Sequence, residues 1–336
     1  MSLALVSVAC GEAGPPSITV TRPTTFTVAQ PGNGVIAGVV VGNQDRVPIA
    51  GARLQANGTT VVTNANGEFQ ITGLPAGQIQ YELSAPQHVT HVSQLSVEGA
   101  REGVTIDLIR DAEPFSLGFY RQFARDGLDN PTALGATHPW TTAPSFYMRT
   151  VTDDSGEAVA PEILAGVRRV ILNSVPELSA GHFTVAAFET GADARPTQPG
   201  WVIVTFFSVF PTANAIGDAS IGGNAGRIRL AYDAPRLEPR IDCNAWIVAV
   251  ADHEIVHTMG FYHTGAPFGG GLDFDFQSIG CTGTGRQERT RYHAAVMYSR
   301  PRGNIDPDQD PSTFASLVTE SMPPVVSCPA SLFRVR

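Results

Sequence analysis

Hydrophobic and polar positions change texture twice along this chain. Between residues 34 and 110, apolar residues come in short β-branched runs or strict alternation, interrupted by turn residues. Residues 35–41 form one such run, and 52–55 and 59–63 follow as short strands. Asn64-Ala65-Asn66-Gly67 carries a hairpin-turn signal, with Gly67 free to take a positive φ. Phe69 and Ile71 then face one way, while Glu68, Gln70 and Thr72 face the other. A second turn at 73–77 precedes a strand at 79–85, and residues 104–109 close the segment. This pattern predicts a run of short β-strands separated by turns.

From residue 111 onward helical spacing joins the strands. Residues 145–151 read as a strand. Ile163, Leu164, Val167, Val170, Ile171, Ser174 and Val175 repeat at the 3.6 period of an amphipathic helix over 161–175. Residues 182–188 and 201–209 read as strands, the second apolar enough to be central. After a Gly-rich loop at 220–226, residues 227–232 alternate charged and apolar side chains, as a half-exposed edge strand does. A long helix is expected over 244–258, then a loop, then a last helix over 312–321 begun at Asp310-Pro311. The mixture predicts an α+β fold in three parts: an N-terminal segment at 1–33, a β-rich domain at 34–110 and a larger domain at 111–336.

Composition narrows the partners. All 22 basic residues are arginines and the net charge is −9, with no basic stripe, so nucleic acid is not an expected partner. No apolar run is long enough to span a bilayer as a helix. Residues 3–9 are apolar and end in Ala9-Cys10, followed by Gly11 and a Pro-rich stretch. That resembles the end of a bacterial lipoprotein signal, although Ser7 stands where Leu is usual and no basic residue precedes the run. The resemblance implies export, as a secreted or cell-surface protein whose membrane attachment is a lipid on Cys10. The cysteines are Cys10, Cys243, Cys281 and Cys328, with no CxxC pair to suggest a thiolate metal site. Cys243 with Cys281 or Cys328 could pair, and buried free thiols are equally compatible.

The chemistry concentrates in the run from His253 to His263. On a helix His253 and His257 lie one turn apart on one face, so both imidazoles can reach one cation. Glu254 flanks them, placed to take a proton from an attacking water. Gly260 permits the positive φ that ends the helix, and the break returns His263 as a third nitrogen ligand. Three protein nitrogens with one open position are what a catalytic zinc needs.

Two family resemblances follow from these residues. His253-Glu254-Ile255-Val256-His257-Thr258-Met259-Gly260-Phe261-Tyr262-His263 is similar to the extended HExxHxxGxxH motif of the metzincin zinc peptidases. That resemblance covers about residues 145 to 321 and implies a metzincin-type domain with a mixed twisted sheet, a zinc helix and a C-terminal helix. It makes Met297, in Ala295-Val296-Met297-Tyr298, the apolar floor in a tight turn beneath the metal. It also places an extended peptide along Gly226, Arg227, Ile228, Arg229 and Leu230, the region similar to the matrixin edge strand. The departures are Thr264, where matrixins often have Ser, Ser299, where a tyrosine ligand would stand, and the lack of a Pro-Arg-Cys-Gly switch. The β-rich segment at 34–110 resembles the carboxypeptidase regulatory-like family, which implies a small β-sandwich of prealbumin type. Its carrying residues are Gly38-Val39-Val40-Val41, Pro48 to Gly51 and the run from Thr63 to Gln87. Domains of that kind are mainly structural or adhesive, so His88 and His91 are expected to be ordinary polar residues.

The expectation is therefore a secreted zinc endopeptidase acting on protein or peptide substrates, with Zn2+ as cofactor and Glu254 as general base. Rival readings are a zinc-bearing surface adhesin without proteolysis, a zinc hydrolase of a non-peptide amide, and a retired enzyme. Asp273 and Asp275 could hold Ca2+, but their spacing matches no complete calcium loop, and a solvated acidic loop is the simpler expectation. Asp306, Asp308 and Asp310 are expected at turns and a helix start.

Overall fold

Alternating burial builds the first seven strands. These are β1 (Gly34–Gly42), β2 (Arg53–Ala56), β3 (Thr59–Val62), β4 (Glu68–Leu74), β5 (Gly77–Ser84), β6 (His91–Val97) and β7 (Ala100–Leu108). The computed structural model describes residues 32–212, 215–232, 246–265, 268, 286–312 and 325–329. One sheet runs β4-β1-β7 and the other β3-β2-β5-β6. Between them lie Ile36, Val40, Leu54, Phe69, Ile71, Leu74, Leu83, Val97 and Leu108, all buried. The residues facing away, such as Gln70 and Gln80, stay in water, as a two-layer sandwich requires.

The turn at Asn64–Gly67 is present but does not close a hairpin. β3 pairs with β2 and β4 with β1, so this turn carries the chain from one sheet to the other. The Asn64 Oδ1 accepts the N–H groups of Asn66 and Glu68, and Gly67 has φ +74°. A Cβ on Gly67 would stand 2.7 Å from the Val40 carbonyl oxygen, so glycine lets the crossover press against β1. β6 was not evident in the sequence.

The remainder forms a second body around a mixed sheet. Its strands are β8 (Ser145–Thr152), β9 (Phe188–Gly191), β10 (Trp201–Phe207), β11 (Ala215–Ser220), β12 (Gly226–Ala231) and β13 (Val325–Pro329), in the order β13-β11-β12-β10-β8-β9. β8, β9, β10 and β12 run parallel, and β11 is antiparallel to both β12 and β13. The helices are α1 (Leu117–Arg125), α2 (Pro161–Leu178), α3 (Trp246–Thr258) and α4 (Glu288–Tyr298). α3 packs on β11 and β12 and against α2, where Gly166 leaves room for Val248. Ile247, Val248, Val250, Ala251, Ile255 and Val256 of α3 are buried, so this helix is enclosed on all sides.

Three expectations need correction. β12 is not an edge strand, because β10 and β11 occupy both of its sides. Its charge alternation has another cause: Ile228 and Leu230 are buried in the core, while Arg227 and Arg229 meet the buried Asp218 of β11. Arg229 also lies over the rings of Phe207 and Phe210. An extended peptide therefore cannot pair along Gly226, Arg227, Ile228, Arg229 and Leu230. The strand read at 182–188 is not formed there: β9 begins only at Phe188, and α4 stands within the stretch expected to be a loop; α1 falls where the pattern gave no element. The helix expected over 312–321 lies outside the described residues, as do Cys10, Cys243, Cys281, Asp273 and Asp275. Among the described residues no helix is long and apolar enough to cross a membrane.

Candidate metal centre

α3 carries His253 and His257 one turn apart, and the chain reverses after Thr258 to bring His263 back to them. The Nε2 atoms of His253 and His263 are 3.1 Å apart, those of His257 and His253 3.1 Å, and those of His257 and His263 3.2 Å. Three ring nitrogens thus form a nearly equilateral triangle. A tetrahedral ion with metal–nitrogen bonds of about 2.0–2.1 Å would hold its ligands about 3.3–3.4 Å apart, so the triangle fits zinc within a few tenths of an ångström.

The protonation of the rings agrees with this. His257 Nδ1 lies 2.8 Å from the Phe261 carbonyl oxygen, to which it donates, leaving the Nε2 lone pair facing the centre. Burial lowers the His257 pKa to about 4, and holds His253 and His263 well below the usual histidine value. The neighbouring imidazoles lower His253 further. All three rings are neutral at pH 7, the form that binds a cation.

The reversal that delivers His263 is held by satisfied carbonyls. The His257 oxygen accepts from Gly222 and Gly260 N–H, at 3.0 and 2.8 Å. Thr258 O accepts the Trp140 indole N–H at 2.8 Å, and Met259 O accepts the Tyr298 hydroxyl at 3.0 Å. These partners replace the helical bonds that end with α3. Gly260 has φ +102°, and a Cβ there would meet His138 O at 2.7 Å and Met297 Cε at 3.2 Å. Glycine is thus required on both conformational and steric grounds. Met297 is fully buried against this bend, as an apolar support would be, but it lies in the last turn of α4 and not in a tight turn. Phe123 of α1 stacks on Phe261 with ring centroids 4.3 Å apart, and its carbonyl accepts Tyr262 N–H.

Glu254 is buried beside the histidines, against the backbone of β11. A Cβ on Gly217 would collide with the Glu254 carboxylate and stand 2.7 Å from Val250 Cγ1. Gly217 was not singled out from sequence, because its requirement depends on a strand that the pattern did not reveal. At the other end of the motif, Arg286 donates to Asp252 Oδ1 at 2.8 Å and to Ser174 Oγ at 3.0 Å. The Ser174 hydroxyl donates to the same Asp252 oxygen at 2.9 Å, and Glu177 faces Arg286 from α2. This buried network pins the residue immediately before His253.

Residues 35–109 match the Carboxypeptidase regulatory-like domain family. No curated protein matches the chain. Among solved structures, the chain is similar to the group B streptococcus pilus 2b backbone protein, at 15% identity and TM-score 0.21, over 24% of this chain and 42% of that one. It is also similar to BcpA, the major pilin subunit of Bacillus cereus, at 15% identity and TM-score 0.18, over 23% and 30% of the two chains. GBS52, the minor pilin of Streptococcus agalactiae, aligns at 16% identity and TM-score 0.20, over 26% and 48%. The chain spans less than half the length of each of these three proteins.

The regulatory-like domain meets the second body at a second cluster, formed by His91, Asp308 and Asp310. His91 Nδ1 is 3.0 Å from Asp308 Oδ2, and Val92 N–H donates to the Asp308 carbonyl at 2.9 Å. Arg300 engages both Asp308 oxygens and also Asp107 of β7 at 2.6 Å, while Asn43 of the loop after β1 donates to Ser299 Oγ at 2.9 Å. Since a guanidinium already neutralises Asp308, whose carboxyl is held well below the usual range, the cluster is an ion-pair junction and not a cation cage. Asp306 and Asp308 lie in a turn, as expected; the sequence did not reveal that His91, Asp308 and Asp310 are also partners across the domain boundary.

Proposed function

We propose that this chain is a zinc-dependent endopeptidase of metzincin type, with His253, His257 and His263 as metal ligands and Glu254 as general base. One observation carries the reading: three neutral imidazole nitrogens converge at 3.1–3.2 Å with an ionisable carboxylate on the adjacent residue. Bound zinc would supply a Lewis acid that lowers the pKa of water and polarises a carbonyl. Glu254 takes a proton from the attacking water and returns it to the leaving nitrogen. The Phe261 carbonyl fixes the His257 tautomer, and Gly217 gives the carboxylate its place beside β11. Export through the N-terminal segment and action on protein or peptide substrates belong to the same proposal.

Elemental analysis of the purified chain should find one zinc per molecule, and casein cleavage should stop with a chelator and return with zinc. Glu254→Gln should keep zinc and lose roughly 10²–10⁴-fold in turnover. A folded chain that takes up no zinc would sink the proposal, and so would a Glu254→Gln variant that cleaves casein at the parental rate. A chain that binds zinc yet leaves casein and gelatin intact would favour a binding role.

A further inference from the structure

The sheet has an edge at the candidate centre, and the chain covers it with its own residues. β11 is the antiparallel strand whose Gly217 abuts the Glu254 carboxylate. One side of β11 pairs with β12, and the other pairs antiparallel with β13, in the register Ser220 with Val325, Ala219 with Val326, Asp218 with Ser327 and Gly217 with Cys328. Without β13, β11 would present a row of unpaired backbone groups to solvent, directly beside Glu254. Such an edge accepts any extended chain whose backbone pairs with it, largely irrespective of side chains.

We propose that Val325–Pro329 is an internal occupant of this edge, competing with extended peptides for β11 and so holding the site closed. The inference rests on the hydrolytic reading only for its consequence on turnover; the strand exchange itself is independent of it. Two features make the occupant displaceable. The strand has only five residues, and Pro323-Pro324 precede it while Pro329 ends it without an N–H to donate. It is also uncharged from Val325 to Pro329, so no ion pair within the segment fixes it in place.

Competition has a measurable form. If the edge is free in only about a tenth of molecules, an external peptide binds about tenfold more weakly than it would to an open edge. The probe is a fluorescein-labelled synthetic peptide with the sequence of residues 323–331, titrated by anisotropy into the full-length chain. Glu254→Gln is carried throughout to prevent cleavage. Val326→Pro with Ser327→Pro keeps the chain length but removes two N–H groups from β13, and should tighten probe binding about tenfold. Equal affinity for the two chains overturns the proposal. A measurement without the proline substitutions guards against misfolding. Hydrogen exchange on the Glu254→Gln chain should show the amides of residues 325–328 exchanging faster when excess unlabelled peptide is added, while β11 stays protected. No acceleration also overturns it. Casein cleavage by chains carrying Glu254 is read separately: strand exchange without cleavage in any form would refute the hydrolytic reading and leave the self-occupied edge standing.

Discussion

Gly217→Ala tests the placement of Glu254 more sharply than removing the carboxylate does. The added methyl would stand 2.7 Å from Val250 Cγ1 and closer still to the Glu254 carboxylate. Carbon atoms settle about 3.5–4.0 Å apart, so α3 and β11 must separate by roughly 1 Å or the glutamate must swing away. α3 has little freedom to shift, since its C-terminal carbonyls are held by Gly222, Trp140 and Tyr298 and Asp252 is held by Arg286. Glu254 therefore moves. Overpacking of this size costs about 1–3 kcal/mol of stability. A displacement of about 1 Å at a reacting group costs on the order of 10²-fold in rate. The imidazole triangle is untouched, so zinc content should stay at the parental value. Thermal unfolding, elemental analysis and kcat on a fluorogenic peptide read the three effects separately. Parental kcat in the alanine variant would refute the packing of Glu254 on β11, even if zinc remained bound.

Arg286→Leu leaves Asp252 buried without its guanidinium and should cost about 3–5 kcal/mol, measured by urea unfolding; a loss under about 1 kcal/mol would show that the network is dispensable. Acid should destabilise the metal-free protein. Burial lowers His138, His257 and His293 each from 6.5 to about 4, so the unfolded chain binds more protons across that interval and stability falls as pH drops from about 6.5 to 4. Urea midpoints in the presence of a chelator that are the same at pH 7 and pH 5 would contradict this.

The candidate centre was legible because its residues lie within one short run, where helical spacing and a single glycine dictate convergence. The strand beside it was not. β11 reads Ala-Ile-Gly-Asp-Ala-Ser, without alternation or β-branched enrichment, because all six residues are buried and its glycine is fixed by a helix elsewhere in the chain. β12 was legible as a strand but not as an internal one, since the arginines that suggested solvent are satisfied by Asp218 of the neighbouring strand. α4 contains Arg289, Arg291 and His293 among its apolar residues, so no stripe announced it. The sandwich strands showed their alternation clearly, whereas which turns join strands within a sheet and which cross between sheets depends on pairing that local pattern does not carry.

The ion-pair junction makes the first domain more than an attachment. Arg300 and Asp308 are buried facing His91 and Asp107, and they lie three and eleven residues beyond Met297 in the chain. A protein begun at residue 111 would open these charges to water and loosen the floor beneath the histidines. During synthesis the N-terminal domain folds first. The wall against which residues 299–310 close is then already standing when the ligand helix emerges, so the first domain serves as a mould for the second.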